Sequence, residues 1–268
     1  AYGQTGPYRE RAAHDINLMA LSGVMAHTGR AEDGPLPLGL QVADMGSSFM
    51  AITGLLAALI QRMQTGEGQL VDISMFDTAL AWNSLAASHV LVGSTEPQRE
   101  TMWLNGGSLY DFYQTSDGHY LSVGSLEPKF WHGFCQAIGR PDLFEPGLSP
   151  DLTTQRAVKA AIQAQITTRT LAEWTAIFDA ADVCVEPVLD VSEALAHPQT
   201  QARQMIVDVP KPDGSRQRQT GTPIKFSASQ PVYKHTGATL GEHTDDIMRE
   251  LGYSEAEIRT FRAAKIFG

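Results

Sequence analysis

The chain has 268 residues, 43% of them apolar and 19% charged, a globular composition with enough material for one large or two ordinary domains. A net charge of −10 and the lack of any basic run exclude a nucleic-acid binder, because nothing would neutralise phosphates in a row. The longest apolar run, Phe49 to Ile60, is short for a membrane span, and no signal-peptide pattern opens the chain, so the expectation is a soluble cytoplasmic protein.

In chain order, Ala1 opens without a methionine inside a glycine-rich loop, which reads as a processed or truncated product. Tyr2 to Pro7 is a turn segment, and Ile16 to Met25 has helical spacing. A Gly-Pro loop, Gly34 to Pro37, leads to Asp44. From Met45 on, Phe49, Ile52, Leu55, Leu56, Leu59, Ile60 and Met63 recur at three and four. That pattern predicts a helix apolar over most of its girth, and therefore buried. Thr65-Gly66-Glu67-Gly68 ends it, Leu70 to Ser74 alternates like a short strand, and Asp77 to Val92 reads as another helix.

Residues 94 to 105 are polar and irregular. Tyr110 to Gln114 and His119 to Val123 then predict two strands joined at Asp117-Gly118, a hairpin signal. Glu127-Pro128 opens a helix with proline in its first turn. Helices follow over Ala157 to Ile166 and Leu171 to Ala180, a β-rich run over Val183 to Leu189, a helix over Ser192 to Arg203 and a strand over Met205 to Val209. In the last segment two helices flank Leu251-Gly252-Tyr253-Ser254, with Ser254 and Glu257 spaced as a capping box. Cys135 and Cys184 have no motif spacing and read as two buried thiols, with neither a disulfide framework nor a zinc site indicated.

Four polar residues are candidates for chemistry, each with an ordinary structural reading beside it. His14 precedes a helix, where histidines are commonly structural. Asp15 and Asp44 each stand where a helix N-cap would stand, and Glu127 fits a first-turn acid stabilised by the helix dipole. An imidazole and an isolated carboxylate in apolar or small-residue settings are also the pair needed to move a proton between two faces of one carbon.

The strings around them carry more. His14-Asp15-Ile16-Asn17, Ala43-Asp44-Met45-Gly46 ahead of an apolar helix, Thr65-Gly66-Glu67-Gly68-Gln69 with Val71-Asp72, and Gly241-Glu242-His243-Thr244-Asp245 resemble the class III CoA-transferase family of CaiB/BaiF type, over essentially the whole chain. Within it the chain looks most like the α-methylacyl-CoA racemase branch. The finer resemblance rests on His14, on Glu127 in Val123-Gly124-Ser125-Leu126-Glu127-Pro128-Lys129-Phe130, on Asp182-Val183-Cys184-Val185-Glu186-Pro187-Val188-Leu189, and on Leu104-Asn105-Gly106-Gly107 with Tyr110. The chain departs from that branch at Asn105, where aspartate is usual, and at Ser47-Ser48, where glycine is usual.

The resemblance implies an α/β fold: part of a Rossmann-like CoA-binding large domain over residues 1–104, a small α+β domain over 105–209, and C-terminal helices returning to the first over 210–268. The family's leading CoA-nucleotide segment would lie ahead of residue 1. An interlocked homodimer is implied, with His14 and Asp44 from one chain facing Glu127 from its partner. In the racemase branch His14 and Asp44 exchange protons with the α-carbon of a 2-methylacyl-CoA through an enolate, and Glu127 orients the imidazole. In the transferase branch Asp44 is instead the nucleophile that forms an aspartyl-CoA thioester. The ligand-facing residues implied are Ala13, His14, Asp15, Ile16, Asn17, Leu18 and Tyr110, with the backbone N–H of Asp15 on the enolate oxygen. No metal or separate cofactor is implied, since CoA arrives as part of the acyl-CoA substrate, and a place in fatty acid metabolism is expected.

Overall fold

His14 has extended backbone (φ −111°, ψ 171°), and its N–H donates to Asn17 Oδ1 at 3.1 Å, so helix α1 (Asp15–Leu21) begins directly after it. In the computed structural model, which describes residues 1–267, α1 turns Leu18 and Met19 inward against Met25, Ala43 and Ala79. Met25 lies on a 3-10 turn, Val24–Ala26, entered through Gly23 at φ +83°. Helix α2 (Val42–Thr65) follows, then α3 (Met75–Trp82), capped by Ser74 accepting the Asp77 N–H at 3.1 Å, and α4 (Ser84–Leu91). The helix expected over Asp77 to Val92 is thus broken at Asn83, whose Nδ2 donates to the Ser22 carbonyl.

Two expectations for this region are corrected. Helix α2 is not buried. Ala43 and Gly46 alone lie in the interior, while Phe49 (55%), Leu55 (59%) and Met63 (87%) face outward. Its apolar girth calls for a covering partner, and within the described residues α1 and α3 cover only its start. At 24 residues α2 is also long and apolar enough to cross a membrane by length and composition, unlike the Phe49 to Ile60 run alone. The second correction is Leu70 to Ser74, which forms no strand: among the described residues no neighbouring strand supplies its hydrogen bonds.

Between residues 110 and 188 the local signals hold. Strand β1 (Asp111–Gln114) pairs antiparallel with β2 (Tyr120–Val123), and β2 with β3 (Val185–Pro187). Gly118 takes φ +83° in the hairpin. Helix α5 (Pro128–Ala137) starts at the predicted proline, followed by α6 (Phe144–Gly147), α7 (Leu152–Ile166) and α8 (Leu171–Asp179). Their shared core stacks Trp131, Phe134, Phe178 and Trp174 in sequence, with ring centroids 5.5–5.7 Å apart, over Leu121 and Val123 of the sheet. Gln155 is buried and fully used, accepting from the Leu109 N–H and donating to the carbonyls of Gly147 and Ser149.

All of this lies in one unit, Ala1–Val188. A second unit, Leu189–Gly268, holds α9 (Val191–Ala196), α10 (Pro198–Ala202), the antiparallel pair β4 (Ile206–Pro210) and β5 (Arg216–Thr220), α11 (Thr244–Glu250) and α12 (Glu255–Ala263). The single helix expected over Ser192 to Arg203 breaks at His197-Pro198, because the ring of Pro198 cannot continue α9. Ser254 and Glu257 do form the reciprocal cap. The fold is therefore mixed helix and sheet. Both sheets are antiparallel, and no parallel βα unit of Rossmann type occurs among the described residues.

Candidate active site

His14 and Asp44 are brought to one cavity of about 280 Å³, which Asp15, Ile16, Met19, Met25, Pro37, Leu38 and Gln41 also line. Asp44 does not cap α2. Gln41 holds the cap position without a side-chain bond, and Asp44 is the third helical residue. The free amides at that end are taken by Asp15, whose Oδ1 accepts the Ala43 N–H at 2.6 Å and the Asp44 N–H at 3.4 Å. The Asp44 carboxylate is left exposed in the first turn of α2. Ser47 and Ser48, which stand where glycine is usual, turn their hydroxyls back onto the Asp44 carbonyl at 3.1 and 2.9 Å.

The remaining expected residues divide. Ile16 is half exposed on the cavity wall, and Ala13 packs beside it against the small core. Asn17 spends its Oδ1 on the His14 N–H and faces a different depression, with Tyr2 and Arg11. The Leu18 side chain is fully buried in the small core with Met19, Met25, Ala43 and Ala79. The backbone N–H groups of Asp15 and Ile16, at the start of α1, bond no acceptor among the described residues.

Tyr110 lies elsewhere, on a larger cavity of about 490 Å³ with Leu36, Leu104, Phe112, Gly124 and Cys184. Glu127 is exposed at the residue before α5 and lines neither cavity, and no hydrogen bond joins it to His14 within the chain. Cys184 is exposed with φ +55°, which corrects its expected burial; partial burial, then Glu127 and Asp182 nearby, push its thiol upward. Cys135 is buried as expected, and desolvation raises its thiol to about 12. Asn105 is a turn lock: it accepts from the Met102 N–H and donates to the carbonyls of His27 and Gln98, so this departure from the family pattern carries a structural load.

Sequence reasoning missed an ion cluster on the wall of the larger cavity. Arg30 grips Asp111 with two bonds of 2.6 and 2.7 Å and reaches Glu100 at 3.0 Å. Lys159 meets Asp111 at 2.6 Å and also donates to the Gly106 carbonyl. Burial alone would raise the Asp111 carboxyl, but the bonds from Arg30, Lys159 and the Phe112 N–H outweigh it and hold it below the usual range. The Arg30 guanidinium is raised mainly by its bonds to Asp111. No local pattern connects four charges so far apart in the chain.

The arrangement of His14, just ahead of α1, and Asp44, in the first turn of α2, on one cavity accompanies a family match. Residues 1–244 match CoA-transferase family III, and the chain belongs to that family of enzymes, as its sequence motifs imply. It is 33% identical over 270 residues to the alpha-methylacyl-CoA racemase of Homo sapiens, covering 99% of this chain and 69% of that one. It is 28% identical over 276 residues to the succinyl-CoA–D-citramalate CoA-transferase of Chloroflexus aurantiacus, covering 99% of this chain and 67% of that one. A solved CaiB/BaiF family protein from Brucella suis superposes with a TM-score of 0.76 at 25% identity, over 94% of this chain and 66% of that one. The chain thus spans about two thirds of the length of these relatives.

Proposed function

We propose that this protein is a racemase that interconverts the two configurations of a 2-methylacyl-CoA by moving one proton across the α-carbon. The observation that carries the reading is the single cavity lined by both His14 and Asp44. His14 takes the α-proton, the electron pair passes into the thioester carbonyl as an enolate, and Asp44 in its acid form delivers a proton to the opposite face. The reverse reaction exchanges the two roles. In this reading the N–H of Asp15, which bonds no acceptor among the described residues, donates to the enolate oxygen, a contribution typically worth about 2.7–4 kcal/mol of barrier. In a homodimer, Glu127 of a second copy would orient the imidazole.

The transferase reading has its own support in relatives such as the Chloroflexus aurantiacus enzyme and in the exposure of Asp44. There Asp44 attacks the thioester carbonyl and displaces the CoA thiolate to give a mixed anhydride, and the thiolate then attacks the Asp44 carbonyl to form the aspartyl-CoA thioester and release the carboxylic acid. A covalent transferase needs one carboxylate and leaves His14 without a task, which favours the racemase. Incubation with acyl-CoA followed by hydroxylamine separates the two. The racemase reading predicts no hydroxamate at Asp44, and stoichiometric hydroxamate there would establish the transferase.

A further inference from the structure

His14 precedes α1, Asp44 sits in the first turn of α2, and the distance between them depends on how these two helix starts are held. A single carboxylate links them. Asp15 Oδ1 accepts the Ala43 N–H at 2.6 Å and the Asp44 N–H at 3.4 Å, so the residue after His14 is tied to the residue before Asp44. Both one-residue steps lie at helix starts, where backbone hydrogen bonds hold φ and ψ. Gln41 contributes no side-chain cap to α2, so the acceptor its amides need comes from the other helix. Ala43 is buried beneath this contact together with Leu18 and Met19, which leaves the tie little room to slide.

We propose that the Asp15 side chain is a positioning residue, with a role separate from that of its own N–H: it fixes the facing of His14 and Asp44 across the cavity. The inference rests on the racemase reading. An enolate formed by His14 has two fates. Asp44 can protonate it from the opposite face, giving inversion, or the His14 face can return a solvent-exchanged proton, giving retention. Loosening the tie moves Asp44 away from the reacting carbon without removing His14, so inversion suffers and retention does not.

The test measures both fates in deuterium oxide, starting from one enantiomer of a 2-methylacyl-CoA. Asp15→Ala is expected to lower the ratio of inversion to α-deuteration with retention about tenfold or more, since a displacement near 1 Å can cost about 10²-fold. KM should change little. Asp15→Asn, whose amide oxygen still accepts the Ala43 N–H, should recover most of the wild-type ratio. Should Asp15→Ala fail to fold, Asp15→Glu keeps charge and acceptor while lengthening the tether, and it should shift the ratio in the same direction. A folded Asp15→Ala with the wild-type ratio, or Asp15→Asn as impaired as Asp15→Ala, would overturn the positioning role. Wild-type enzyme that neither inverts nor deuterates the substrate would instead refute the racemase reading, and this inference with it.

Discussion

Asp44 occupies the third position of α2, and the amides ahead of it are satisfied by Asp15, so its own carboxylate is released from capping. That release distinguishes a residue available for chemistry from one consumed by its helix. The His14 backbone N–H is bonded to Asn17 Oδ1, and the residue lines the same cavity. His14→Ala should therefore lower racemisation by about 10²–10⁴-fold, the usual contribution of a positioned acid–base group, as read from loss of optical rotation change. Retention of near-normal turnover would remove His14 from the mechanism. If Glu127 of a second copy orients the imidazole as proposed, Glu127→Gln should reduce kcat with little change in KM; a change confined to KM would contradict that role. The residues of this site were legible as candidates because their motif strings are contiguous. Which of them face the cavity was not: the helical phase that exposes Ile16 and buries Leu18 is set by packing against Ala43 and Ala79, distant in sequence.

At the level of elements, the predicted features that appear are those specified locally. The Asp117-Gly118 turn, the proline that opens α5 and the Ser254–Glu257 box all depend on residues within a few positions of one another. Strand β5 escaped notice because Arg-Gln-Arg-Gln-Thr has no apolar alternation, and only its backbone pairing with β4 makes it a strand. The ion cluster escaped for the same reason. It cross-links the loop after the 3-10 turn to β1 and α7 through Arg30, Asp111 and Lys159. Because the folded Asp111 carboxyl is held below its unfolded value, the cluster stabilises the fold fully above about pH 3.9, and that stability is lost as pH falls through the folded value. Urea midpoints should drop as pH is lowered below about 4. Asp111→Asn should weaken the native state by about 3 kcal/mol and flatten that acid limb, whereas an unchanged limb would show the cluster to be inert. Gly46→Ala is the matching test on α2. A β-carbon there would lie 2.8 Å from the Trp82 ring and 3.2 Å from the Thr78 methyl, so either α3's side chains or the start of α2, two residues from Asp44, must move. Stability and turnover should fall together, and a stable, fully active variant would show that the helix start tolerates displacement.

For the molecule as a whole, the exposed side of α2 dominates. Phe49, Ile52, Leu55 and Leu59 present an apolar surface of a kind that soluble monomers rarely leave open. The sequence periodicity stated that this helix needs covering but could not state by what, because periodicity reports the demand for burial and not its supplier. The homodimer proposed above would meet that demand and would supply Glu127, which lines neither cavity within one chain, to His14. Sedimentation should show concentration-dependent association that Leu55→Glu with Leu59→Glu abolishes, and a monomer at all concentrations would count against a dimer. The central claim remains the proton transfer between His14 and Asp44. It is tested most directly by incubating the enzyme with a single enantiomer of a 2-methylacyl-CoA in deuterium oxide and following configuration and α-deuterium together. The racemase account predicts loss of optical purity with one deuterium gained at the α-carbon of the inverted product. A substrate that keeps both its configuration and its α-hydrogen would contradict it.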